Sequence, residues 1–255
     1  MGRIISITNQ KGGVGKTTTS VNLSACLAEA GKKVLIVDLD PQGNTSTGLG
    51  IDKSKLKRTI YNVLLSEISL DKILLKTKQK NLTIAPANMD LSGSEIEFIG
   101  IENREYLLKQ VLEKVRDNYD FIIIDCPPSL SMLTLNAMTA SDTVIVPIQC
   151  EYYALEGLTQ LMHTINLVKK RLNPELFIEG MIFTMFDART NLSLQVVEEV
   201  KHHLKENVYK TIIPRNVRLG EAPSHGLPIN LYDPNSKGAE SYRLLAEEVI
   251  KNTTT

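Results

Sequence analysis

Apolar positions along the chain follow two alternating rhythms. Short runs rich in β-branched residues recur at 4–8, 33–37, 82–85, 121–124, 143–148, 178–184 and 209–213. Each is too short for a helix and predicts a strand; 33–37 reads as buried and 121–124 as continuously apolar. Between them the spacing changes to that of a helix. Val21, Leu23, Ala25, Leu27 and Ala28 mark one helix that ends at Gly31, and Leu107, Leu108, Val111, Leu112 and Val115 place another over about 103–117. Further helices are predicted near 133–139, over 155–172 up to Pro174, over 192–205 and over 238–251. The polar, lysine-rich region 45–80 breaks the pattern and predicts short helices around 60–65 and 70–75. Strands alternating with helices imply an α/β fold with a doubly wound, mainly parallel sheet and right-handed crossovers.

The turn between the first strand and the first helix reads Lys11-Gly12-Gly13-Val14-Gly15-Lys16-Thr17-Thr18. Glycines let a backbone curl until several N–H groups point inward, and the helix that follows adds its partial positive charge, so the turn is a cradle for phosphates. Lys16 is in register to reach the β- and γ-phosphates, and the Thr17 hydroxyl to ligate magnesium. The pattern departs from an ordinary Walker A loop, which has a glycine where this chain has Gln10, and it adds Lys11 at the opening. Two fixed cations beside one another repel unless phosphate lies between them, so Lys11 also points to a nucleotide, its own or another subunit's.

Carboxylates stand where predicted strands end. Asp125 closes the run 121–124 ahead of Cys126-Pro127-Pro128, the place of a magnesium-binding Walker B acid. Asp38 and Asp40 follow the second strand in Asp38-Leu39-Asp40-Pro41-Gln42-Gly43-Asn44. One could hold the metal shell and the other orient or deprotonate the attacking water; the spacing does not separate them. Two later loops, 184–189 and 213–218, open on the same strand ends, where a purine could lie against Met185 and Pro214 with Asn216 at its edge. Arg189, Arg215 and Arg218 cluster in those loops, and Lys201, Lys205 and Lys210 lie between them in sequence. The adjacent His202 and His203 point to different helix faces and lack the spacing of a metal pair.

Composition narrows the field. The 255 residues, 42% hydrophobic, suit a single domain, here 1–251 with a frayed tail at 252–255. Lys+Arg 29 balance Asp+Glu 29, so bulk charge does not hold nucleic acid and any DNA binding must come from a local patch. Cys26, Cys126 and Cys150 lack metal or redox spacing and read as small core residues of a reducing compartment. No apolar run approaches 18 residues and the first residues form a strand rather than a signal peptide, so the expectation is a soluble, unexported protein.

The cradle, the 38–44 motif, Ile124-Asp125-Cys126-Pro127-Pro128-Ser129 and Ile213-Pro214-Arg215-Asn216-Val217-Arg218-Leu219 together closely resemble the ParA/Soj family of bacterial partition ATPases, of the deviant Walker A type, over nearly the whole chain. The resemblance implies ATP and Mg2+ as cofactors and an ATP-dependent sandwich homodimer. In that dimer Lys11 crosses to the partner's phosphates and Gly12 lies at the close contact. It further implies a nucleotide site built from Lys11, Gly12, Gly13, Val14, Gly15, Lys16, Thr17, Thr18 and Asp38, with Met185, Pro214 and Asn216 at the adenine. Thr17 and Asp125 would serve the metal, and Lys11, Lys16 and Asp40 the hydrolysis. Non-specific double-stranded DNA would bind through Arg189 and Arg218, a ParB/Spo0J-type partner would stimulate hydrolysis, and the protein would be cytoplasmic and nucleoid-associated. MinD-like relatives end in a basic amphipathic membrane helix; 242–251 is too acidic for one, so no membrane partner is expected. Nitrogenase-type iron proteins place a cluster cysteine a few residues beyond the Walker B acid. Here Cys126 follows Asp125 directly and no further cysteine precedes Cys150, so a redox role is not expected.

Overall fold

A computed structural model describes residues 1–151, 154–203 and 208–252. Among them one eight-stranded sheet organises the chain: β1 (Arg3–Ile7), β2 (Val34–Asp38), β3 (Leu75–Lys76), β4 (Leu82–Ala85), β5 (Phe121–Asp125), β6 (Thr143–Gln149), β7 (Phe177–Phe186) and β8 (Val208–Pro214). Their order across the sheet is β3-β4-β2-β5-β1-β6-β7-β8, and every pairing is parallel except the β3–β4 edge.

The helices are α1 (Lys16–Glu29), α2 (Asn44–Gly48), α3 (Ile60–Leu64), α4 (Ser94–Glu97), α5 (Leu107–Glu113), α6 (Met132–Ala140), α7 (Ala154–Arg171), α8 (Asn191–His203), α9 (Val217–Glu221), α10 (Ile229–Tyr232) and α11 (Lys237–Asn252). Alternate strand residues face opposite layers, which explains the unbroken apolar runs. Ile5, Ile7, Val34, Ile36 and Ile123 pack with Leu23, Leu27, Leu245 and Val249 of α1 and α11. Ile4, Leu35, Val37, Ile122 and Ile124 pack with Ile60, Leu108, Leu112 and Leu133 of α3, α5 and α6. A third cluster joins β6 and β7 to α7 and α8.

Three sequence expectations shift. The helix over 103–117 is shorter, with 3-10 turns at Arg104–Tyr106 and Arg116–Asn118 on either side of α5. Asn103 takes a left-handed φ of 54°, and Asn136 of α6 accepts from the Leu108 N–H and donates to the Arg104 carbonyl, so the helix start is fixed by a tertiary cap. The segment near 70–75 is a 3-10 turn, Leu70–Lys72, leading into β3. At the chain end α11 extends through Asn252, one residue into the predicted tail, and 253–255 lie outside the described residues.

Candidate functional site

The C-terminal ends of β1, β2 and β5 converge, as expected where ligands bind an open parallel sheet. The Asp38 and Asp125 positions pair in register across β2 and β5, and Ile7 of β1 pairs with Asp125. From Ile7 the chain runs through the glycine turn into α1. Asn9 fixes this turn by donating to the Pro147 carbonyl at 2.7 Å and accepting the Lys11 N–H at 3.1 Å. Thr184 donates to the Val14 carbonyl at 2.8 Å from the far side. Gly15 holds φ 88° as the residue before α1, a conformation that a side chain disfavours.

The two lysines separate. Lys16 is buried, and its Nζ donates to the Lys11 carbonyl at 2.9 Å, across the mouth of the turn. Burial pushes its pKa down, while Asp125, Cys126 and Asp40 pull it back. A buried ammonium with one backbone acceptor, beside a glycine turn that leads into a helix, is a ready counter-charge for phosphate. Lys11 is only partly buried, and its Nζ pairs with Glu151, beyond the end of β6, at 2.8 Å. Gly12 and Gly13 are exposed beside it, Val14 is buried and Thr18 half-buried.

Asp125 is fully buried and receives three neutral hydroxyls: Thr17 at 2.9 Å and Thr45 at 2.6 Å on Oδ2, and Ser20 at 2.8 Å on Oδ1. Burial pushes its pKa up and the hydroxyls oppose this. A carboxylate held among the described residues by neutral hydroxyls, one of them the Thr17 hydroxyl at the glycine turn, is a donor set that fits magnesium. Asp38 is equally buried: its Oδ2 accepts both the Ser46 N–H and hydroxyl, and its Oδ1 the Asp40 N–H at 3.3 Å. Burial, then Asp125, pushes it up to about 7. Asp40, also buried, accepts the Gln42 N–H at 2.9 Å. Of the polar residues that follow, Gln42 and Asn44 are exposed.

Beside the turn lies a cavity of about 330 Å³ lined by Gly15, Thr18, Met185, Pro214, Asn216 and Tyr242 among others. Its size falls in the range of about 300–1,000 Å³ usual for ligand pockets. Met185 holds a left-handed φ of 51°, and Asn216 caps α9 by accepting the Arg218 N–H at 2.8 Å, which leaves its amide NH2 available. The structure therefore brings together Lys16, Thr17, Asp125, Asp38 and Asp40, and next to them Met185, Pro214 and Asn216.

The side chains of Arg189 and Arg218 pair with carboxylates outside this cluster. Arg189 is exposed and forks onto Asp187 at 2.9 and 2.6 Å; Arg218 pairs with Glu221 at 2.8 Å and Asp233 at 3.4 Å. Lys210 is exposed on β8, Lys205 lies outside the described residues, and His202 is exposed on α8. All three cysteines are buried and free. No group of three or more His, Cys, Asp or Glu side chains placed to hold a metal ion occurs among the described residues, and none of their helices is long and apolar enough to cross a membrane.

Sequence reasoning missed Thr45, Ser46 and Ser20, the hydroxyls that hold the two carboxylates, and Glu151 and Tyr242. The signals were faint: a hydroxyl-rich stretch, Thr45-Ser46-Thr47, after the second acidic motif, and a carboxylate just beyond a strand end.

Comparison with known proteins agrees with this geometry. The family model described as "AAA domain" matches residues 2–178. The sporulation initiation inhibitor protein Soj of Bacillus subtilis is 60% identical over 252 residues, 99% of this chain and 100% of that protein. The chromosome partitioning protein ParA of Myxococcus xanthus is 54% identical over 254 residues, 100% of this chain and 90% of that protein. Among solved structures, cobyrinic acid a,c-diamide synthase from Mycobacterium smegmatis with bound ADP and magnesium superposes with a TM-score of 0.89 at 39% identity. It covers 100% of this chain and 96% of its own. The phosphate turn, the buried acid under it and near full-length identity to such relatives lead to one conclusion: this chain belongs to the Soj/ParA family of chromosome-partitioning ATPases, whose cofactors are ATP and Mg2+.

Proposed function

We propose that this chain is an ATP-driven partition switch: two copies close on Mg-ATP, the closed pair holds double-stranded DNA without regard to sequence, and a ParB/Spo0J-type partner triggers hydrolysis and release. The observation that carries the reading is the split between the lysines. Lys16 faces into its own turn, whereas Lys11 leans out to Glu151 at the exposed Gly12–Gly13 edge, free to meet a second copy's phosphates once that ion pair opens.

In this reading Lys16 and the N–H groups of residues 12–18 bind and orient the triphosphate. Thr17 and Asp125 hold magnesium, which when bound neutralises charge on the phosphate oxygens. Asp40 holds the attacking water, and its own carboxylate is steadied by the Gln42 N–H. Asp38 serves as an anchor, since Ser46 and the Asp40 N–H already occupy its oxygens. Adenine fills the 330 Å³ cavity against Met185 and Pro214, with the Asn216 amide at its edge. Arg189 and Arg218 supply the phosphate contacts to DNA, exchanging their present carboxylate partners for the backbone. The protein would accordingly sit in the cytoplasm on the nucleoid. Size measurement by light scattering with ATP, ADP or no nucleotide tests the switch: the wild type pairs with ATP alone and Lys11→Ala does not. Pairing of Lys11→Ala to the wild-type extent overturns the trans role.

A further inference from the structure

The short helix α2 lies between the two carboxylates and belongs to neither of their strands. Its Thr45 hydroxyl donates to Asp125 Oδ2 at 2.6 Å, and its Ser46 N–H and hydroxyl donate to Asp38 Oδ2 at 2.8 and 2.7 Å. Ser46 Oγ also accepts the Ala87 N–H at 3.1 Å, which ties α2 to the chain beyond β4. Both hydroxyl residues are fully buried. A five-residue helix has no stability of its own, so these bonds and its fixed entry set its place. The entry is Gly43, at φ 60°, where a Cβ would come within 2.8 Å of the Ala87 carbonyl. Residues 39–43, with Asp40, connect β2 to this helix.

Asp125 could satisfy its burial with Thr17 and Ser20 alone, both from α1. Thr45 adds a third donor from a different element, on the same oxygen that Thr17 uses. Thr17 can keep donating its proton to Asp125 while its lone pairs turn to a cation. A second hydroxyl on that oxygen then fixes the carboxylate's rotation, the role that partners behind a metal ligand play generally. We propose that Thr45 is a positioning residue for magnesium: its hydroxyl sets the orientation of Asp125, and α2 transmits the state of that carboxylate to the Asp40 loop. The inference rests on reading Asp125 as the magnesium acid.

The test compares ATP affinity in excess Mg2+ and in EDTA for the wild type, Thr45→Val, Thr45→Ala and Thr45→Ser, with thermal melting of each. The quantity read is the tightening that magnesium brings. Loss of a partner behind a metal ligand generally weakens metal affinity about 10–100-fold. Valine and alanine should therefore cut that tightening about 10–100-fold while leaving affinity in EDTA within about threefold, and serine should restore it. Two different replacements are used so that a steric failure of valine does not decide the matter. Tightening unchanged in both, or affinity lost equally with and without magnesium, overturns the positioning role. A wild type that shows no magnesium-linked tightening overturns instead the reading of Asp125, an outcome the wild-type arm reports by itself.

Discussion

Lys16 and Lys11 flank the same glycine turn, yet their surroundings assign them different work. Lys16 is desolvated with a single carbonyl acceptor, so its charge is available to phosphate at short range, where charge-assisted bonds contribute about 1.5–3 kcal/mol. Lys16→Ala should therefore lose nucleotide affinity by roughly 100-fold, measured by equilibrium titration. Lys11 instead pairs with Glu151, and Lys11→Ala should leave affinity within about threefold while abolishing the ATP-dependent pair. A variant of Lys11 that binds nucleotide as poorly as the Lys16 variant would place both lysines on one triphosphate. Asp40 is buried beside the turn with one of its oxygens steadied and no hydroxyl clamps of the kind that hold Asp38 and Asp125. Asp40→Ala should bind ATP and pair, but hydrolyse it roughly 10²–10⁴-fold more slowly in a single turnover, and so accumulate the DNA-bound form. Normal single-turnover hydrolysis would move the water-positioning role elsewhere.

At the scale of elements, the site is held by pieces of unequal stability. The 14-residue α1 and the fully buried β5 are locked into the core, whereas α2 depends on one tight entry and a few side-chain bonds. Gly43→Ala combines a left-handed φ, which costs a side chain about 1–2 kcal/mol, with a close approach to the Ala87 carbonyl. It should lower unfolding free energy by roughly 1–3 kcal/mol in a urea titration and weaken magnesium-linked ATP binding in the same protein. Wild-type values of both would show that α2 adjusts freely.

The same inequality explains what could be read from the sequence. The strands β1, β2 and β5 and the helix α1 were legible because burial on both faces, or on one stripe, leaves a periodic trace. The phosphate turn was legible because its chemistry needs particular residues at adjacent positions. α2, α9 and α10, at four or five residues, are too short to show a period, and their positions come from tertiary bonds such as Thr45 to Asp125. The Asn136 cap that starts α5 and the Glu151 partner of Lys11 join residues 28 and 140 apart, a separation that local pattern does not report. Asp38 and Asp40, alike in sequence, are told apart by their partners, Ser46 and the Asp40 N–H on the first and the Gln42 N–H on the second.

For the whole molecule, the proposed DNA binding by a chain of net charge +0 requires a local surface that pairing would multiply. Its two candidate arginines are already engaged, Arg189 by Asp187 and Arg218 by Glu221 and Asp233. A monomer thus neutralises few phosphates, and binding should become firm only when two copies present the patch on one face. Charge reversal at Arg189 or Arg218 should remove binding to every sequence tested while sparing the ATP-dependent pair, as sizing in parallel would report. The most direct test of the switch is a salt series of DNA binding by the wild-type protein with ATP, ADP and no nucleotide. Binding is expected with ATP alone, with log affinity falling with log salt at about −0.9 for each of roughly four phosphates or more. Equal binding in all three nucleotide states, or none with ATP at low salt, would contradict it.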